Sequence, residues 1–98
     1  MEHPQLKARN MRETIDPDPD TLALSALVWI LEDDRRTDRL LALTGLDGED
    51  IRSRLMDPAL LAAVLDYLAS YEPDLIACAA ATGHRPERLI RARERLSL

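Results

Sequence analysis

The sequence predicts an all-α fold, a compact bundle of five to six short helices arranged as two αα-hairpins around a central helix. Three observations carry this. The apolar content, 46% of the chain, is mostly Leu and Ala, which favour helix over strand. Apolar residues recur at helical spacing, and helix-start and helix-stop residues punctuate them: Pro at the start of several runs, after Asp in two of them, and Gly after two. Strand signals are absent.

The central helix is predicted from Asp57-Pro58 through Ser70. Asp57 can cap its free amides, and Pro58 suits N1, where the missing N–H would have gone unpaired. Leu61, Val64, Leu65 and Leu68 follow at i, i+3, i+4 and i+7, and Leu60 with three alanines widens the stripe. Such a helix wants neighbours on most sides.

Taking the chain in order, residues 1–18 read as a polar tail and an Asp/Pro connector, and residues 19–98 as a single helical domain. Residues 1–15 suit either a weak helix or a segment without fixed structure. Asp16-Pro-Asp-Pro-Asp20 breaks any helix twice. The first helix should run from about Pro19 or Thr21 to Asp33, with Leu24, Leu27, Val28 and Leu31 as one stripe and Leu22, Trp29 and Ile30 spread around it. That is too apolar for one packed face, so its second face needs cover from another helix, the amino-terminal segment or another molecule.

Asp34 can cap a helix of about Arg36 to Thr44, ended by Gly45. Asp47-Gly-Glu-Asp50 should start a short acid-fronted helix to about Met56. Beyond the central helix, Pro73 opens a helix through the small-residue run Ala77 to Ala81, stopped by Gly83. Pro86 starts the last, with Leu89, Ile90, Ala92 and Leu96 facing inward. Tyr67 and Tyr71, four apart, read as a packing pair at the rim of the central helix.

Composition limits the chemistry. One cysteine, Cys78, excludes an internal disulfide, and it reads as a small buried hydrophobe. His3 and His84 are too few and too far apart for a zinc site, and the aspartates at 16, 18 and 20 lack the glycine and bidentate glutamate of a calcium loop. No metal and no cofactor are therefore expected. The longest apolar run, Leu22 to Leu31, falls short of the roughly 18 residues a membrane span needs. The start of the sequence carries no secretory pattern, so a cytoplasmic protein is expected.

The net charge of −5 argues against general nucleic-acid affinity, but the charge is uneven. Residues 14–34 carry six acids and no cation, whereas residues 85–98 carry five arginines against Glu87 and Glu94.

Two segments align at an offset of 38 residues: Thr44-Gly45, Glu49 and Ile51 match Thr82-Gly83, Glu87 and Leu89. Each reads as helix, glycine cap, tight turn, helix. The whole pattern resembles a family of short helical proteins of unknown function from Gram-negative bacteria, over roughly residues 20–96. The resemblance rests on the Trp-bearing first helix ending in Glu32-Asp33, on Leu40-Leu-Ala-Leu-Thr-Gly-Leu-Asp47 with Ile51-Arg52, on Asp57-Pro-Ala-Leu-Leu-Ala-Ala-Val-Leu-Asp66, and on the alanine-rich helix before Gly83. His84-Arg85-Pro86 departs from the more usual apolar-acidic turn. The resemblance implies a stand-alone helical domain in a bacterial cytoplasm and brings no activity, cofactor or catalytic residue.

Three functions follow as expectations. The first is a non-catalytic interaction or regulatory module that binds another protein or itself, including a homodimer through the first helix, with Leu22, Trp29 and Ile30 as the candidate interface. The alternative is binding of nucleic acid or another anionic partner through Arg85, Arg88, Arg91 and Arg95, the last three at i, i+3 and i+7 on the final helix. An enzyme is the least favoured, with no catalytic residue to name; Asp66, among apolar neighbours, is the one acid whose burial would reopen that reading.

Overall fold

A computed structural model of the chain describes residues 18–96. The tail and most of the Asp/Pro connector, residues 1–17, lie outside the described residues. Among those described there are six helices and no strand: α1 Pro19–Leu31, α2 Asp34–Thr44, α3 Gly48–Ser53, α4 Pro58–Ser70, α5 Glu72–Thr82 and α6 Pro86–Leu96.

Aspartates satisfy the free amides at four helix starts. Asp18 accepts from the Asp20 amide at 3.4 Å, and Asp57 from Ala59 at 2.9 Å. Asp47 and Asp50 close a reciprocal capping box, Asp47 accepting from the Asp50 amide at 2.8 Å and Asp50 from the Asp47 amide at 3.0 Å. The cap of α2 is Asp33, not the expected Asp34. Asp33 is extended, with φ −134°, so its carboxylate turns over the first turn and accepts from Arg35 at 2.8 Å and Arg36 at 3.2 Å. Asp34 is already helical. α1 accordingly ends at Leu31 rather than Asp33, and α3 ends at Ser53 rather than near Met56.

The amides of Arg36, Asp50 and Ala59 are the main reason the carboxyls of Asp33, Asp47 and Asp57 titrate below the usual carboxylate range. Their folded values being depressed, this capping is fully present above the unfolded carboxyl range and is lost as pH falls through the folded values.

Both glycine stops occur as the sequence implied. Gly45 and Gly83 take positive φ, 73° and 78°. Each threonine before them donates its hydroxyl to the carbonyl four residues back, Thr44 to Leu40 at 2.7 Å and Thr82 to Cys78 at 2.8 Å. The recurrent Thr-Gly is therefore one capping device used twice. The arms that follow differ. α5 and α6 pack on each other, whereas the short α3 gives only Ile51 to the core.

The core lies between α1, α4 and α6, which pack mutually, while α2 and α5 each touch both α1 and α4. α4 buries Leu60, Leu61, Val64, Leu65, Tyr67 and Leu68. α1 buries Leu22, Ala23, Ala26, Leu27 and Ile30, and this differs from the expected stripe: Val28 and Leu31 are 57% and 44% exposed. Ala23 and Ala26 account for the rotation. Small side chains there let the neighbouring helices come close, and close packing gains more dispersion contact than a ridge of larger residues would.

Replacing Gly45 or Gly83 by Ala should lower the melting temperature by about 4–8 °C each, since a Cβ costs roughly 1 kcal/mol in the left-handed region. Nothing crowds either site, so the loss is conformational alone. Gly48→Ala, at a helical position without positive φ, should leave the melting temperature unchanged or raise it. Thermal circular dichroism on the three variants checks this.

Candidate functional site

A groove of about 370 Å³ runs along one side of α4. Its α4 wall is made by Ala59, Leu60, Ala63, Asp66, Tyr67 and Ser70, a single strip at helical spacing. Leu43 and Thr44 at the end of α2, with Leu46 and Arg54, form the other side. The trough exists because α4 carries small side chains where a packed helix would carry leucine. Its surroundings are apolar and open to solvent: Leu43 is 60% exposed, and Leu55 and Met56, which follow Arg54 in the chain, are exposed too.

Beneath the groove, Tyr67 enters a hydrogen-bonded cluster that ties three helices together. Its hydroxyl donates to Asp74 Oδ2 on α5, which also accepts from Arg39 Nη2 at 2.9 Å and Nε at 3.2 Å on α2. Arg39 Nε also lies 3.4 Å from the Tyr67 hydroxyl, and the guanidinium sits over the Tyr71 ring, 4.8 Å from its centroid. Asp74 is the one buried charged residue among those described. Burial is the main cause pushing the Tyr67 phenol up to about 12, with the Asp74 carboxylate acting in the same direction and Arg39 opposing.

The residues singled out from the sequence fall in different places. Leu22 and Ile30 are enclosed by this chain's own helices, at 2% and 0% exposure, so neither can meet a partner. The candidate interface on α1 is corrected in that respect: α4, α5 and α6 cover the face that looked surplus. Trp29 is half-buried against the core, and the Arg36 guanidinium stacks 3.7 Å from its ring centroid while donating to its carbonyl.

Arg85, Arg91 and Arg95 are exposed and Arg88 is half-buried, but Glu87 and Glu94 share the outward face of α6 with them. Glu87 lies four residues before Arg91 and Glu94 three after it, a mixed-sign helix face. Asp66 is not buried. It is exposed at the groove rim and paired with Arg93 of α6. Cys78 is fully buried, which pushes its thiol up to about 11.

Sequence reasoning missed Arg39 and Asp74, and took Tyr67 for a rim residue. One signal was available: Asp74 lies four residues before Cys78, on the inward stripe of α5, where a charge needs a partner.

Short capped helices around a buried helix, with an apolar groove and one partly buried ion pair, define a small all-α bundle domain. The chain belongs to the family described as "Protein of unknown function (DUF3572)", whose model matches residues 16–97. No curated protein and no solved structure matches it. Among the described residues, no helix is long and apolar enough to cross a membrane, and no cluster of His, Cys, Asp and Glu could hold a metal ion.

Tyr67→Phe should lower the melting temperature by about 4–8 °C, for the loss of roughly 1 kcal/mol of hydrogen bonding to Asp74. Asp74→Ala should cost more, because it also strips Arg39 of its partner. The phenol holds its proton to about 12 when folded and loses it near 10.0 when unfolded. Its contribution is thus fully present below the unfolded value and is lost as pH rises through about 12. Melting curves from neutral to strongly alkaline pH should fall less steeply for Tyr67→Phe than for the unmodified chain, with Cys78 responsible for part of the slope that remains.

Proposed function

We propose that the protein is a non-catalytic interaction module of the cytoplasm that receives an amphipathic helix of another protein in the groove between α2 and α4. The groove itself carries this reading. It extends from Ala59 to Ser70, about 16 Å or three helical turns, which is the length over which an amphipathic helix lays down its i, i+3, i+4 and i+7 anchors. Ala59, Ala63 and Ser70 leave room for the incoming side chains, and Leu43, Leu46 and Leu60 supply apolar contact. The two charged residues of the lining are already paired within the chain, Arg54 with Asp57 and Asp66 with Arg93, so the contacts the groove offers an occupant are mainly apolar.

The reactive groups are otherwise engaged, which favours binding over catalysis. Asp74 is held by Arg39 and Tyr67, Asp66 pairs with Arg93, and Cys78 is enclosed. The mixed signs on α6 favour a protein over nucleic acid.

A photo-crosslinking residue placed at Leu43 in cells, compared with one at Glu94, tests the proposal. Crosslinking from Leu43 alone to a peptide of amphipathic helical pattern, abolished by Ala63→Arg without loss of melting temperature, is the expected result. Equal crosslinking from both positions, or a nucleic-acid adduct concentrated at Glu94, would refute it.

A further inference from the structure

The outward face of α5 is unlike that of the other long helices. Between Glu72 and Arg85 its exposed residues are Pro73, Ile76, Ala77, Ala80, Ala81 and Gly83, and the one charged residue in that interval, Asp74, points inward and is buried. A helix apolar on every side is normally a covered helix. Ile76 is 52% exposed on this face. Val28 of α1, also exposed, lines a shallow recess of about 350 Å³ with Ala81 and Thr82, whose other lining residues are Ser25, Trp29 and Glu32, so α1 adds apolar contact and an acid at the edge of this face.

We infer that a second copy of this chain covers the face, the two α5 helices packing antiparallel about a two-fold axis near their midpoint. Two features select a second copy. The first is charge: α5 begins at the exposed acid Glu72 and is followed by His84 and Arg85, so antiparallel pairing sets the acid of each copy beside the base of the other. The helix dipoles also oppose favourably.

The second is shape. With the axis level with Cys78, one residue past the midpoint of α5, Ile76 of each copy lies opposite Ala80 of the other and Pro73 opposite Gly83, a larger residue facing a smaller one in both pairs. An isologous interface requires this self-complementarity, and the alanines let the backbones approach closely enough for interdigitation. One helix pair with flanking contacts from Val28 is a small interface, so the dimer is weak and concentration-dependent. This inference is independent of the α2–α4 groove, to which α5 contributes no lining residue.

Sedimentation velocity on the full chain across a concentration series is the test, with circular dichroism to confirm that each variant is folded. The chain should pass reversibly from monomer to dimer. Ile76→Glu should weaken dimerisation about tenfold or more, and Glu72→Arg should weaken it through like charge; adding Arg85→Glu to the latter should restore it. A chain monomeric at every concentration, an Ile76→Glu variant that dimerises as before, or a charge reversal that fails to restore association would each overturn the inference.

Discussion

Two helices of this protein must be covered on most of their circumference, and the rest of the chain is disposed to do it. α1 and α4 are the two most apolar helices, and they lie against each other at the centre. α6 packs on both, α2 and α5 close other sides, and short connections keep α1 beside α2, α4 beside α5 and α5 beside α6. The hydrophobic effect drives this but is non-directional. It explains why these helices gather, and says less about why they gather in one orientation.

Orientation is set by the polar groups enclosed with them. Asp74 Oδ2 meets Tyr67 and two nitrogens of Arg39, so a single carboxylate oxygen ties α2, α4 and α5 together in this packing. A partly buried ion pair is weak evidence for stability as such, because desolvation offsets much of its attraction. Removing one member nevertheless leaves a charge without its partner, so wrong packings that separate them are penalised. Arg36 acts similarly at the α1–α2 junction, covering Trp29 and donating to its carbonyl, while Thr37 donates to Ile30 at 3.2 Å. The polar contacts therefore specify, and the leucines and alanines stabilise.

This division explains what the sequence revealed. Capping is local, so Asp57-Pro58, the acid-fronted helix start at Asp47 and the two Thr-Gly stops were legible, and with them the all-α class and the extent of α4. The choice of Asp33 over Asp34 depended on one backbone angle that neither residue's chemistry dictates. Arg39 and Asp74 are 35 residues apart, and no spacing rule joins them. The α1 face was misjudged because periodicity counts large apolar residues, whereas Ala23 and Ala26 mark its most crowded side. The groove was invisible for the same reason, being defined by side chains that are missing.

Alanine is thus used in two opposite ways. Ala23, Ala26, Ala79 and Ala92 are enclosed and bring helix axes together. Ala59, Ala77 and Ala80 are exposed, where a soluble helix would ordinarily present Glu, Lys or Arg. An exposed alanine costs little by itself and adds helix propensity, so one alone would mean nothing. What matters is the company these keep: Leu43, Leu46 and Leu60 beside the first, Ile76 beside the others. Small residues next to large apolar ones leave recesses edged by apolar side chains, the arrangement on which both proposed contacts rest. The Tyr67–Asp74–Arg39 cluster beneath the groove holds Tyr67 in place, so for the helix proposed to dock there this part of the floor is already ordered and its ordering entropy would not weaken binding.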